Sequence, residues 1–164
     1  PGLDLVLHAD ALSVLFVGLS TLLWLVTTVY AIGYLEHSPH RSRFFGFFSL
    51  CVTATVGLAL AGNLFTFVIF YELLTLATYP LVAHKGDPAT VRSARVYLGI
   101  LILASIGLLL PAIIWTYLIA ETGDFTPGGI LAGRLDGPLV GLLLALFVFG
   151  TAKAAVIRNE SGDA

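Results

Sequence analysis

The chain has 164 residues, of which 58% are hydrophobic and 11% charged, against roughly a quarter charged in an ordinary soluble domain. So few charges cannot clothe a water-facing surface, and a net charge of −2 with no dense run of Lys or Arg excludes nucleic acid as a partner. The mean hydropathy of +0.98 recurs in blocks along the chain rather than in one anchor, which is the pattern of a polytopic helix bundle with the lipid bilayer as its first partner.

A spanning helix needs roughly 20 apolar residues rising about 1.5 Å each, and five windows meet that need: 11–34, 44–62, 64–83, 96–119 and 138–157. The expected fold class is therefore all-α, one transmembrane domain over residues 1–157 followed by a polar tail at 158–164. Asp10 with Ser13 reads as a start signal for the first span. The second carries Cys51, a lone thiol that forms no internal disulfide and acts as a small hydrophobe. The third follows a tight Gly62-Asn63 turn and contains Glu72. Asp87-Pro88 lies in the next connection, and Thr126-Pro127-Gly128-Gly129 lies in the loop before the fifth span, which contains Lys153. Pro80 and Pro111 fall inside spans, where proline removes a backbone hydrogen bond and kinks the helix.

The connections sort by charge. Arg41 and Arg43, then Lys85, Arg92 and Arg95, then Arg158 fall on one side if all five windows span, whereas the other side receives Asp4, Asp10, Glu121, Asp124, Asp136 and only Arg134. The positive-inside rule makes the first side cytoplasmic. The start of the chain is expected outside and its end inside, in a multi-pass plasma (inner) membrane protein.

Glu72 stands between apolar neighbours in FVIFYELLTLATYP, near the middle of its span. A charge there costs several kcal/mol to insert, so the side chain should face other helices or water, or be protonated. Thr75, Leu76 and Tyr79 follow it on one helix face, a hydroxyl-bearing stripe suited to holding water for proton transfer. The competing reading makes Glu72 a neutral hydrogen-bonding link between helices. Lys153 also has two readings: its stem reaches the cytoplasmic interface as an anchor, or it points inward as a proton carrier tuned by an opposite charge. His8, His37, His40 and His84 fall in loops or at helix ends without metal-ligand spacing, so no metal or other cofactor is expected. Arg92 and Arg95 share a face suited to lipid headgroups. Trp24, Tyr30, Tyr34, Tyr97, Trp115 and Tyr117 partly gather near span ends, as interfacial belts do.

The string NLFTFVIFYELLTLATYPLVAHKG, residues 63–86, resembles the proton-conducting antiporter-like family. That family comprises the large subunits of multisubunit sodium/proton antiporters and the membrane-arm subunits of respiratory NADH:quinone dehydrogenase. Upstream, HADALSVLF and YAIGYL, with Asp10, Ser13, Tyr30 and Tyr34, are similar to its third helix. Downstream, LFVFGTAKAAV is similar to the start of its seventh. The resemblance implies that Glu72 is the family's functional glutamate and Lys153 its functional lysine. YELLTLATYP and RVYLGILILASIGLLLPAI look most like the antiporter's D-type component. The implied function is proton translocation coupled to monovalent cation (sodium) exchange, as a secondary transporter subunit rather than an enzyme, with protons, monovalent cations and other antiporter subunits as partners.

The rival implied reading is a proton-pumping subunit of NADH:quinone oxidoreductase. In either case the Glu72 carboxyl would ionise when Lys153 is near and take a proton when it is far. The family continues past KAAV with a proline, a histidine and WLP, whereas this chain reads IRNESGDA. The start at Pro1 and the absence of methionine also read as a fragment, so a third reading is an inactive or structural truncated piece.

Overall fold

The computed structural model of the chain describes residues 4–38, 40–84, 87–135 and 137–152. Among them are six α-helices: α1 (Ala11–Tyr34), α2 (Arg41–Ala59), α3 (Leu64–Val82), α4 (Pro88–Ala104), α5 (Leu110–Ala120) and α6 (Gly137–Thr151), with a π turn at Ser105–Leu109 between α4 and α5. Four stretches are long and apolar enough to cross a bilayer: Ala11–Tyr34, Arg41–Ala59, Leu64–Val82 and Thr90–Ala120. The 19 residues of α2 or α3 reach about 28 Å, close to the hydrocarbon thickness of about 30 Å. The fifth apolar helix, α6, is shorter, and residues 153–157 of the expected fifth span lie outside the described residues. The chain is an all-α polytopic membrane protein. The described residues divide into two compact units, those up to Leu98 and those from Gly99 onward, with the boundary inside α4.

In the first unit, α1 begins where the Asp10 carboxylate accepts the Ser13 backbone N–H at 2.6 Å, satisfying one of the orphan donors of the first turn. Ser13, Val17, Ser20, Trp24, Thr28, Ala31 and Leu35 are sheltered, at spacings of three or four, while Leu12, Leu15, Leu22, Leu25 and Val29 are exposed. This sequence buries its small and polar residues and shows its leucines, the reverse of a soluble amphipathic helix. A hydrocarbon solvent dictates that arrangement, because lipid tails solvate leucine as well as a core does.

Helix α2 packs against α1 and, more extensively, α3. Its buried face is Phe48, Cys51, Ala54 and Gly57, a seam of mostly small residues that admits close approach. A Cβ on Gly57 would fall on the Phe70 ring of α3, so the missing side chain is what lets that ring lie against the α2 backbone.

The α2–α3 connection is strapped by residues 4–8. Leu7 pairs with Ala61 in an isolated antiparallel bridge, with His8 N–H donating to Leu60 O at 2.7 Å and Gly62 N–H to Val6 O at 2.8 Å. The strap is fastened by side chains as well. Val6 N–H donates to Thr66 Oγ1 at 2.9 Å and Asn63 Nδ2 to Asp4 O at 2.9 Å, while Asn63 Oδ1 caps α3 by accepting Thr66 N–H at 2.7 Å. Asn63 and Thr66 are both buried, and each of these bonds satisfies a backbone or amide group that would be costly to leave bare in an apolar setting.

The second unit packs α6 and α5 on the π turn. Pro111 cannot donate to the Gly107 carbonyl one turn back, and the local widening at Ser105–Leu109 accommodates that loss without ending the helix. Ser105, fully buried, donates its hydroxyl to the Leu101 and Ile102 carbonyls at 3.1 and 3.0 Å. A Cβ on Gly150 of α6 would stand 2.8 Å from the backbone nitrogen of Leu109, so here the two helices meet backbone to backbone. Arg134 reaches back to donate to the Ala120 carbonyl at 2.7 Å, capping the last turn of α5.

The helix limits differ from the expected windows where polar residues take part in caps. Helix α2 starts at Arg41 rather than at 44, following His40 in the left-handed region (φ 69°), and ends at Ala59 because residues 60–62 are recruited by the strap. Asp87-Pro88, read as a turn, is instead the start of α4: the Asp87 carboxylate accepts Thr90 N–H at 2.9 Å and Pro88 takes the first helical position, where its missing N–H costs nothing.

Candidate functional site

The site is built on α3. Asn63 and Thr66 fix the start of the helix, and the Gly57–Phe70 contact sets its register on α2. Glu72 follows near the helix midpoint, half-buried, with its Oε1 oxygen shielded from the surface. Tyr71 beside it stacks on Phe67, ring centroids 5.8 Å apart and planes 10° from parallel. The stripe expected from the sequence separates into two environments. Thr75 is buried, whereas Leu76 is 51% exposed, so Glu72 sits on the border between the packed and the open face of α3.

The polar groups along this border are particular. Thr75 Oγ1 donates to the Tyr71 carbonyl at 2.9 Å and Thr78 Oγ1 to the Thr75 carbonyl at 2.8 Å, so both hydroxyl protons are engaged within the helix and what they offer outward is acceptor capacity. Pro80 has no N–H to give the Leu76 carbonyl, which lies one turn beyond Glu72 on the same face. Tyr79 is half-buried a further turn along. From Glu72 onward the helix therefore presents a carboxyl, threonine lone pairs, a carbonyl without its helical donor and a phenol. Such a series can bind and orient water without being charged itself. The sequence showed the threonines and the proline; it did not show that the hydroxyl protons are spent internally.

Lys153, the other expected site residue, lies outside the described residues, and so do Lys85 and Arg158. Of the four histidines, His8, His37 and His40 are exposed, and His84 is packed at the end of α3, with Nε2 3.5 Å from Ser38 Oγ and its ring edge-on to Phe44 at 5.2 Å. Arg92 and Arg95 are exposed in the first turns of α4.

A half-buried carboxyl in the middle of an apolar helix long enough to cross a bilayer belongs to the class of polytopic membrane proteins. Residues 61–157 match the family model for NADH:quinone oxidoreductase/Mrp antiporter transmembrane segments, and residues 2–45 match that for the N-terminus of NADH-ubiquinone oxidoreductase (complex I) chain 5. The chain belongs to the NADH:quinone oxidoreductase/Mrp antiporter family, and Glu72 lies within the matched segment.

Among its relatives, hydrogenase-4 component B of Escherichia coli is 28% identical over 162 residues, covering 96% of this chain and 24% of that protein. NAD(P)H-quinone oxidoreductase chain 5 of Synechocystis is 29% identical over 155 residues, covering 89% of this chain and 22% of that protein. The D-type Na(+)/H(+) antiporter subunit of Alkalihalophilus pseudofirmus is 25% identical over 132 residues, covering 80% of this chain and 27% of that protein. The chain thus spans about a quarter of the length of these relatives.

Proposed function

We propose that this chain is the N-terminal portion of a proton-translocating subunit of a multisubunit monovalent cation (sodium)/proton antiporter, in which Glu72 carries the proton and Lys153 is its charge partner. The observation that carries the reading is the place of Glu72: a carboxyl at mid-helix, half-sheltered, at the edge of a face of water-accepting groups. An ionised carboxylate at that depth costs several kcal/mol, and taking up a proton removes the cost. A group that exists in either state according to what stands near it is the minimum a proton carrier requires. Arg41, Arg43, Lys85, Arg92 and Arg95 belong on the cytoplasmic side by the positive-inside rule, which puts the strap of residues 4–8 outside.

The same residues serve the second reading, a membrane subunit of an NADH:quinone oxidoreductase, which is favoured by the similarity to chain 5 of such an enzyme. There the energy comes from redox chemistry in partner subunits, and Glu72 keeps its role.

The test uses the full-length protein with its partner subunits in sealed vesicles. Glu72→Gln keeps size and hydrogen bonding but cannot ionise. It is expected to abolish cation-dependent collapse of an imposed pH gradient at normal protein level, and Lys153→Ala is expected to move the pH optimum of flux upward. Flux that survives Glu72→Gln makes the glutamate a structural link. Proton uptake driven by NADH, without cation-dependent gradient collapse, selects the second reading.

A further inference from the structure

The π turn leaves two acceptors that the second unit does not use. Leu110 N–H donates across it to the Ser105 carbonyl, five residues back, and so is not given to the Ile106 carbonyl. The next residue, Pro111, has no N–H to offer in its place. The Gly107 carbonyl loses its own donor to the same proline, and in the α-helix that resumes at Leu110 the N–H of Ala112 belongs to the Leu108 carbonyl. Ile106 and Gly107 thus present successive carbonyls without a backbone donor, halfway along the apolar stretch Thr90–Ala120.

A proline inside a span is tolerated where a serine or threonine hydroxyl, a neighbouring helix or ordered water takes up the freed groups. The hydroxyls of this segment are committed elsewhere: Ser105 donates to the Leu101 and Ile102 carbonyls and Thr116 to that of Ala112. Helix α6 packs on the buried side, where Gly150 meets Leu109. The side that carries Leu103, Ile106, Gly107 and Leu110 is covered by nothing among the described residues, and Ile106 is 56% exposed. No side chain shields the carbonyls at Gly107, where an added Cβ would meet nothing within 4 Å.

We propose that the Ile106–Gly107 carbonyl pair is a water-binding site, and that the face around it lines an aqueous cavity rather than lipid. Two bare acceptors side by side match the two protons of one water molecule. In hydrocarbon both would stay unsatisfied, a state that an apolar solvent penalises heavily. Pro111 creates the site by withholding an N–H, and Gly107 keeps it open by withholding a side chain. Nothing in this assignment depends on the role given to Glu72.

Infrared spectroscopy of the full-length protein in lipid films reads the carbonyl directly. With all glycine carbonyls carrying heavy carbon, subtraction of equally labelled Gly107→Ala isolates the Gly107 band. It is expected below the position of a free carbonyl and to rise reversibly as the film is dried. In Pro111→Ala, which restores the N–H, the band obtained in the same way is expected to join the helical carbonyls and to ignore drying. A parent band that ignores drying overturns the site, whether it stands at the free position, as in lipid, or at the bonded one, as with a donor from another helix. Cysteine reactivity tests the cavity. In the full-length protein carrying Cys51→Ala, Ile106→Cys and Gly107→Cys are expected to react with a charged thiol reagent about tenfold or more faster than Leu22→Cys, at mid-span on the exposed face of α1, because only a hydrated thiol ionises. Equal rates at the three positions overturn the cavity.

Discussion

Replacing Asn63 with alanine removes two bonds from a side chain that is 2% exposed. One is the cap, in which Oδ1 accepts Thr66 N–H at 2.7 Å; the other is the tie, in which Nδ2 donates to Asp4 O at 2.9 Å. Loss of an N-cap costs about 1 kcal/mol, and an amide bond of ordinary net worth about 1 more, so the opening of the strap and first turn of α3 should become easier by about 2 kcal/mol, roughly 30-fold in the local equilibrium. Asn63→Asp keeps the acceptor and loses the donor, and should fall near the midpoint, about fivefold. Hydrogen exchange in detergent micelles, followed by mass spectrometry on peptides covering residues 4–8 and 60–66, reads both. Exchange in the two peptides should accelerate together in Asn63→Ala, with α6 unchanged. If the residue 4–8 peptide exchanges at the parent rate in Asn63→Ala, the strap is not held by that side chain and the reasoning fails.

Two further substitutions separate kinds of close packing. Gly57→Ala meets the far end of a side chain, Phe70, and Gly150→Ala meets the Leu109 backbone at 2.8 Å. Both should lower thermal stability in detergent by the equivalent of about 1–3 kcal/mol, but Phe70→Leu should rescue the first while Leu109→Ala does not rescue the second. At the start of α1, the Ser13 backbone N–H, bonded to the carboxylate, holds the Asp10 carboxyl below its ordinary range. Its contribution is therefore fully present above the unfolded-state value and is lost as pH falls through the lower folded-state value. Exchange of the first turn of α1 should thus rise only in strong acid, and in Asp10→Asn, which caps without ionising, that pH dependence should vanish.

The helices were legible because hydrocarbon imposes a length and a composition together: α1 covers 11–34, α2 and α3 end within three residues of their windows, α4 starts eight residues early, and the end of the fifth window lies outside the described residues. That start was missed because Asp87-Pro88 spells a turn and a helix entry with the same two letters, and only the bond from Thr90 N–H to Asp87 decides between them. The mid-helix place of Glu72 was legible because a single glutamate in an apolar run is conspicuous. The strap was not legible. Residues 4–8 have no strand-length alternation, and their partners are a turn and two side chains some sixty positions away, so neither local propensity nor periodicity carries the signal. The π turn was half legible: Pro111 announced a lost hydrogen bond, but not the widened turn, nor the approach of Gly150 to the Leu109 backbone, a contact between distant positions. His84, placed by the sequence only in a loop or at a helix end, is half-buried there, because Ser38 of the α1–α2 connection and Phe44 of α2 meet it.

These two unforeseen features bear on the same helix from opposite ends. At its start, α3 is fixed by directional bonds among Asp4, Val6, Asn63 and Thr66, which do not depend on pH across the neutral range because none of the groups involved, three amides, a hydroxyl and a backbone carbonyl, titrates there. At its finish, it is met by an imidazole that lies 3.5 Å from a hydroxyl and against an aromatic ring, contacts with less direction than the bonds at the start. Between them the helix meets α2 through Gly57, Ala54 and Cys51, small residues that fit closely but offer no directional bond of their own.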